Sequence, residues 1–462
     1  MLEWEHLARR RVEAVIISPF LRGKEGARTV LMKNELSRDG SQVRVQRAER
    51  RQVRMQWLAL DELLASDHQA RAVWAYVESL DLSSLYRGIK AVEGGAGRDA
   101  VDPKILLALW MFATIEGVSS ARQVDRLCER DLAYRWICGG VGVNYHLLSD
   151  FRSLHGEILD QLLTDTIATL LHQQLIELET VAQDGMRVRA HAGSSSLRRR
   201  ASLEECHREA KEHVELLHAE REQDGGLPES HQRREAARER AIREREERVA
   251  QALEELDKLQ EEKRQCKNAR KNEDRVSTTD PEARKMKMAD GGYRPAYNVQ
   301  LGTEGKTRLI VSVDVTNSGS DSGKMGPMHQ TIQERYQRTP EKYLVDCGFN
   351  SKDDITLVER RGTRVYAPIH SEQKMLERGK DPYAKQERDS TEMVAFRQRM
   401  KTEEAKEIYQ QRSSIAEYPN AMFRNHGLYQ FRVRGLAKVK ATALLHAITH
   451  NFLRMRTLGW LG

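Results

Sequence analysis

Apolar residues in the 462-residue chain first fall into a regular pattern near Met55. From there to about residue 175 their spacing is helical. Residues 58–64 and 72–80 read as short amphipathic helices. Asp102 followed by Pro103 marks a helix start, with Asp as cap and Pro in the first turn. Residues 105–113 are apolar nearly all round and are expected to form the central buried helix of a bundle. Ser119 and Ser120 are placed to cap a helix beginning at Ala121, and another helix is expected near Ser149. Helix–turn–helix geometry is compatible with this order.

Over 178–190 the period switches to two. Thr180, Ala182, Asp184, Met186 and Val188 share one parity. Gly185 interrupts the run, which predicts a bend between two strands beside Asp184. Residues 197–275 are dominated by Arg, Glu, Lys and Gln, yet Leu203, Ala210 and Leu217 recur every seven residues, as do Ile242, Val249 and Leu256. A Gly-Pro breaker at 224–228 separates the two series, so the pattern predicts a folded-back pair of long helices rather than a solvated coil. Strands follow at 293–301 and 307–316, joined by a turn at 303–306. Met328 and Ile332 share a short helix. A buried strand at 343–345 ends at Asp346, a helix lies near 352–360, and a strand occupies 364–368. Residues 370–401 show no clear core pattern. A helix begins at Thr402, where Glu403 and Glu404 favour its positive end, and a last amphipathic helix spans 441–455. The expected segments are a basic arm or upstream extension over 1–54, a helical domain over 55–175, the first part of an α/β domain over 176–196, the charged hairpin over 197–275 and the remainder of the α/β domain over 276–462. Together they predict an α/β fold: a ribonuclease-H-like mixed sheet with an α-helical N-terminal domain and a long helical-hairpin insertion.

Composition sharpens this only slightly. Lys and Arg outnumber Asp and Glu by 76 to 69, a net charge of +7. The excess favours a polyanionic partner. Five widely spaced cysteines form no CxxC pair, which argues against a disulfide framework and a zinc knuckle and fits a reducing cytoplasm. No apolar run approaches the roughly 20 residues that span a bilayer, so no membrane partner is expected.

Asp184 and Asp346 lie where strand-like runs meet glycine, and Glu417 follows Tyr409 and Arg412 at helical spacing. Strand ends can gather distant carboxylates, and clustered carboxylates hold hard divalent cations. Two such cations can drive phosphodiester hydrolysis and transfer. In a basic chain, that chemistry points to DNA or RNA. Asp before Gly is often only a turn residue, and Asp290, Asp314 and Asp321 are set aside as structural.

The chain resembles the insertion-sequence DDE transposases. Residues 102–110 and 143–152 look like the helical N-terminal domain of that family, 182–188 its first-aspartate segment, 287–300 and 313–321 its central strands, and 343–349 its second-aspartate segment. Tyr409, Arg412, Glu417 and Arg424 resemble its Tyr-Arg-Glu-Lys/Arg pattern. Two departures stand out: Cys347 where glycine is usual, and Tyr418-Pro419-Asn420 after the glutamate. Pro419 disfavours helical geometry at Tyr418 and is expected to set Glu417 at a kink or helix end.

The resemblance implies a catalytic triad of Asp184, Asp346 and Glu417 holding two Mg²⁺ ions, with Mn²⁺ able to substitute. In that reading Asp184 bridges both ions, Asp346 serves the attacking water or 3′-hydroxyl, and Glu417 serves the leaving oxygen. Arg412 and Arg424 would grip phosphate. Arg122, Arg126, Arg130, Arg135 and Arg152 are candidate phosphate contacts of the N-terminal region. The implied partners are double-stranded DNA, both element ends and target, and further copies of the chain, as a homodimer or higher oligomer in a synaptic complex. The expected location is the cytoplasm, at the nucleoid. Rival readings are a nuclease of the same fold that cuts without joining, and a non-catalytic DNA-binding or coiled-coil protein.

Overall fold

The computed structural model describes residues 59–92, 98–223, 229–265 and 274–461. They belong to one unit, Leu58–Gly462, and the arm expected over 1–54 lies outside them. Seven helices come first: α1 (Gln69–Ser79), α2 (Ser83–Tyr86), α3 (Pro103–Ile115), α4 (Ala121–Arg130), α5 (Leu132–Cys138), α6 (Tyr145–Leu154) and α7 (Gly156–His172). Asp102 caps α3 by accepting from Lys104 N–H, with Pro103 at the first helical position, and every residue from Ile105 to Thr114 is buried. The helix expected near Ser149 begins earlier, where the Asn144 side chain accepts from Leu147 N–H.

Strand β1 (Thr180–Arg189) follows, then the short β2 (Leu197–Arg198), the long helices α8 (Arg200–Gln223) and α9 (Glu229–Gln265), and β3 (Val276–Ser277). The ribbon of β2 and β3 is antiparallel, so the hairpin of α8 and α9 leaves the sheet and returns through one narrow base. Leu203, Ala210, Val249 and Leu256 are buried along it, which is the seven-residue pattern expressed as a seam.

The remaining elements are β4 (Arg284–Lys287), β5 (Tyr293–Glu304), β6 (Ile310–Thr316), α10 (Met325–Tyr336), β7 (Lys342–Leu344), α11 (Lys352–Arg360), β8 (Arg364–Tyr366), α12 (Glu372–Glu377), α13 (Thr391–Met400), α14 (Glu403–Asn425) and α15 (Leu436–Thr457). The sheet runs β4-β5-β1-β7-β8, with β6 also on β5. β5 is antiparallel to β1, β4 and β6, whereas β7 is parallel to both β1 and β8. This is the mixed α/β, ribonuclease-H-like architecture the patterning predicts.

Helix α15 ties the helical region to the sheet. It packs against α3, α6, α7, α14 and β6. Asn451 clamps the start of β6 by accepting from Ile310 N–H and donating to Ile310 C=O, both at 2.8 Å. Leu444, Leu445, Ile448 and Phe452 are each at most 2 % exposed, worth about 1.5–3 kcal/mol apiece in transfer from water.

Three expectations fail. β1 is one continuous strand, with no bend at Gly185. Residues 370–401 do carry a core pattern: Met393, Phe396, Arg397 and Met400 are buried on α13, which is the i, i+3, i+4, i+7 spacing of one helix face, with an arginine disguising it. Nor does Pro419 end or break its helix, since α14 runs on to Asn425. An interior proline costs about 3 kcal/mol. Burial of Ile415, Ala416, Pro419 and Phe423 on the same helix offsets it.

Candidate active site

The parallel pairing of β1 with β7 matches Ala182 to Leu344. Two residues further on, each chain presents an aspartate, Asp184 and Asp346. β7 stops at Leu344 while β1 continues to Arg189, so this edge of β1 is open beside the two carboxyl groups. Asp346 turns there and fixes its own Oδ1 by accepting from Gly348 N–H at 2.8 Å. Helix α14 crosses above β1 and β5 and brings Arg412, Glu417 and Asn420.

Arg412 is the hub. Its Nη2 lies 3.0 Å from Asp184 Oδ1 and 4.0 Å from Asp346 Oδ2, and its Nη1 lies 3.8 Å from Glu417 Oε1. The guanidinium is 11 % exposed, and exposure of the carboxylates rises from 17 % at Asp184 through 41 % at Asp346 to 61 % at Glu417. Asn420 holds the other Asp184 oxygen, donating from Nδ2 to Oδ2 at 2.8 Å. Asp184 is thus gripped from both sides, while Glu417 faces solvent.

Burial pushes the Asp184 carboxyl up to about 6; the Arg412 charge pulls it back, and the neighbouring Asp346 and Asp321 add to the rise. Desolvation outweighs the ion pair, so Asp184 holds its proton more tightly than a surface carboxylate until more positive charge arrives. Tyr409 borders the group, its hydroxyl raised mainly by burial and partly by Asp346 and Asp184.

The donor chemistry fits hard divalent cations: carboxylate oxygens from three elements surround one positive charge. Among the described residues, no three His, Cys, Asp or Glu side chains are close enough to share an ion. The carboxylates here are gathered on the Arg412 guanidinium; Asp184, Asp346 and Glu417 are the residues that would hold divalent cations, which would supply a polarised oxygen nucleophile.

Asp184, Asp346, Glu417 and Arg412 therefore converge. Arg424 does not join them; it is exposed in the last turn of α14. Arg152, a candidate phosphate contact, is 4 % exposed. It donates to Ser119 C=O and lies over the Trp110 ring at 4.3 Å, so it packs the protein interior. Asp290 pairs with Arg294, and Asp314 with Lys440.

Two residues were missed. Asn420 follows Glu417 by three positions, a spacing that shares a helix face. Asp321 accepts at Oδ1 from both Asn298 Nδ2 and Gln300 Nε2 at 2.7 Å, directly over Gly185. A Cβ on Gly185 would lie 2.4 Å from that oxygen, so this glycine makes room rather than a bend. The signal was the buried pair Asn298 and Gln300, alternating with Tyr297, Val299 and Leu301.

Two family profiles match the chain: "Transposase domain (DUF772)" over residues 58–154 and "Transposase DDE domain" over residues 264–452. No curated protein and no solved structure matches it. The first profile covers α1 to α6 and the second covers Asp346, Arg412 and Glu417. Family profile and fold agree, and the chain belongs to the insertion-sequence DDE transposases.

Proposed function

We propose that this transposase binds the terminal inverted repeats of its element, cuts the DNA at the element ends and joins the freed 3′-hydroxyls to target DNA, using Asp184, Asp346 and Glu417 as its catalytic carboxylates. The observation that carries the reading is the convergence of these three residues on Arg412 from β1, the end of β7 and α14. Asp184, Asp346 and Glu417 would hold two Mg²⁺ ions, or Mn²⁺ in their place, which supply an activated oxygen nucleophile and charge stabilisation at the phosphorus.

The chain's own residues prepare that site. Asn420 fixes one oxygen of Asp184 and leaves the other turned toward the shared space. The Gly348 N–H fixes one oxygen of Asp346 and leaves Oδ2 free. Glu417, the most exposed of the three, stands where a DNA strand can reach it. Arg412 balances the carboxylates while no ion is present; once they are otherwise engaged it is free to grip a DNA phosphate. Arg424 offers a second phosphate contact from the exposed end of α14. The helical region α1–α7 reads the element ends, and two ends handled together call for a homodimer or higher oligomer.

The test is cleavage of element-end DNA and joining of a pre-cut end, with Mg²⁺, by the wild type and by Asp184→Asn, Asp346→Asn and Glu417→Gln. Each variant is expected to lose on the order of 10³-fold or more in both steps. Wild-type activity in any variant removes that residue from the site. Cutting without joining by the wild type makes the protein a nuclease, and DNA binding without either makes it a non-catalytic protein.

A further inference from the structure

Beneath β1, on the side away from Asp184, a chain of buried side chains crosses the sheet. Tyr343 donates from its hydroxyl to Gln183 Oε1, Gln183 Nε2 donates to Gln300 Oε1, and Gln300 Nε2 donates to Asp321 Oδ1. Asn298 Nδ2 donates to the same oxygen. None of these four donors is more than 1 % exposed. The loop bearing Asp321 is further fixed by Arg187, which donates to Gly319 C=O at 2.9 Å.

All the fixing falls on Oδ1. Oδ2 lies 3.6 Å from the place a Cβ on Gly348 would take, and Asp346 Oδ1 lies 2.9 Å from that same place. The free oxygen of Asp321 is therefore turned toward Asp346 at the open edge of β1. Two further oxygens nearby lack a donor. Asn298 Oδ1, on a fully buried residue, and Asn420 Oδ1, on a residue 7 % exposed, are buried with no donor. One lies on the Asp321 side of β1 and the other beside Asp184. A buried oxygen without a donor is a place where a bound water or ion can supply the missing partner.

We infer that Asp321 is a fourth carboxylate of the site, a positioning residue that anchors the water shell of a divalent cation held by Asp184 and Asp346. The inference rests on the reading of those residues as a cation site. Mg²⁺ keeps several waters, and an oxygen held rigidly a few ångströms from a metal ligand is placed to accept from them. The two amides and Gly185 serve to hold that oxygen still.

The test is Mn²⁺ binding to the full-length protein without DNA, followed by the electron paramagnetic resonance of free Mn²⁺. Asp321→Asn keeps the shape and an acceptor for both amides. It is expected to bind Mn²⁺ about 10-fold more weakly, with its thermal midpoint in EDTA unchanged. Asn298→Ala, which spares every carboxylate, is expected to weaken binding about fivefold, the worth of one hydrogen bond. A folded Asp321→Asn protein that binds like wild type overturns the inference. If Asp321→Asn does not fold, wild-type binding by Asn298→Ala overturns it. No saturable binding by the wild type sinks the cation-site reading itself.

Discussion

The two sides of β1 solve opposite problems. One carries Ala182, Asp184, Met186 and Val188, paired across to Thr303, Leu301, Val299 and Tyr297. It is apolar but for the aspartate and a threonine, and it lies under α14. The other carries Gln183, Gly185 and Arg187 opposite Gly302, Gln300 and Asn298, a polar seam whose hydrogen bonds end on Asp321. The apolar side desolvates a single carboxylate and raises its proton affinity. The polar side spends buried amides on holding another still. Polarity inside a sheet thus falls into two kinds, one isolated and reactive, the other networked and rigid.

Removing apolar contact from the first side should cost most. Leu301→Ala, at a residue 1 % exposed, is expected to lower unfolding free energy by about 3 kcal/mol in urea titrations. Next comes Arg412→Gln, which leaves the carboxylates without their shared cation. With Glu417 and Asp346 partly exposed, the expected loss in EDTA is about 2 kcal/mol, and it should shrink when Mg²⁺ is added. An equal loss with and without Mg²⁺ would separate Arg412 from the cation site.

Taken per pH unit, a pH effect ranks third. Burial, reinforced by the neighbouring His426 and Arg152, pushes His446 on α15 down to about 3. The unfolded chain binds that proton near 6.5, so the contribution is complete above that pH and is lost as pH falls toward 3. His446→Leu should flatten the acid limb of stability by about 1.4 kcal/mol per pH unit across that window. Parallel wild-type and variant curves would place the ring in contact with water. Smallest is Gln300→Leu on the polar side, about 1 kcal/mol. A larger cost than that of Leu301→Ala would invert the ranking of the two sides.

Much of this was legible because period and parity are local. The strand at 293–301, the hairpin of α8 and α9, and the Asp102–Pro103 start of α3 each follow from spacing within a few residues. The three carboxylates were legible as types, two of them at strand ends. Their meeting at Arg412 was not, because nothing local states that a side chain 228 residues beyond Asp184 returns to it. Gly185 misled for a related reason: its lack of a side chain answers a crowd of distant oxygens, not its own backbone. Pro419 misled because local geometry disfavours it and only the burial around it compensates.

The unbroken course of α14 has a further consequence. Arg412, Glu417 and Asn420 ride on one rigid rod, and each added residue turns such a rod by about 100° and advances it about 1.5 Å. One codon gained or lost between Thr402 and Arg412 would swing Arg412 and Asn420 off Asp184, and Glu417 with them, at once. The stretch of gene encoding this helix should therefore tolerate point changes far better than changes of length.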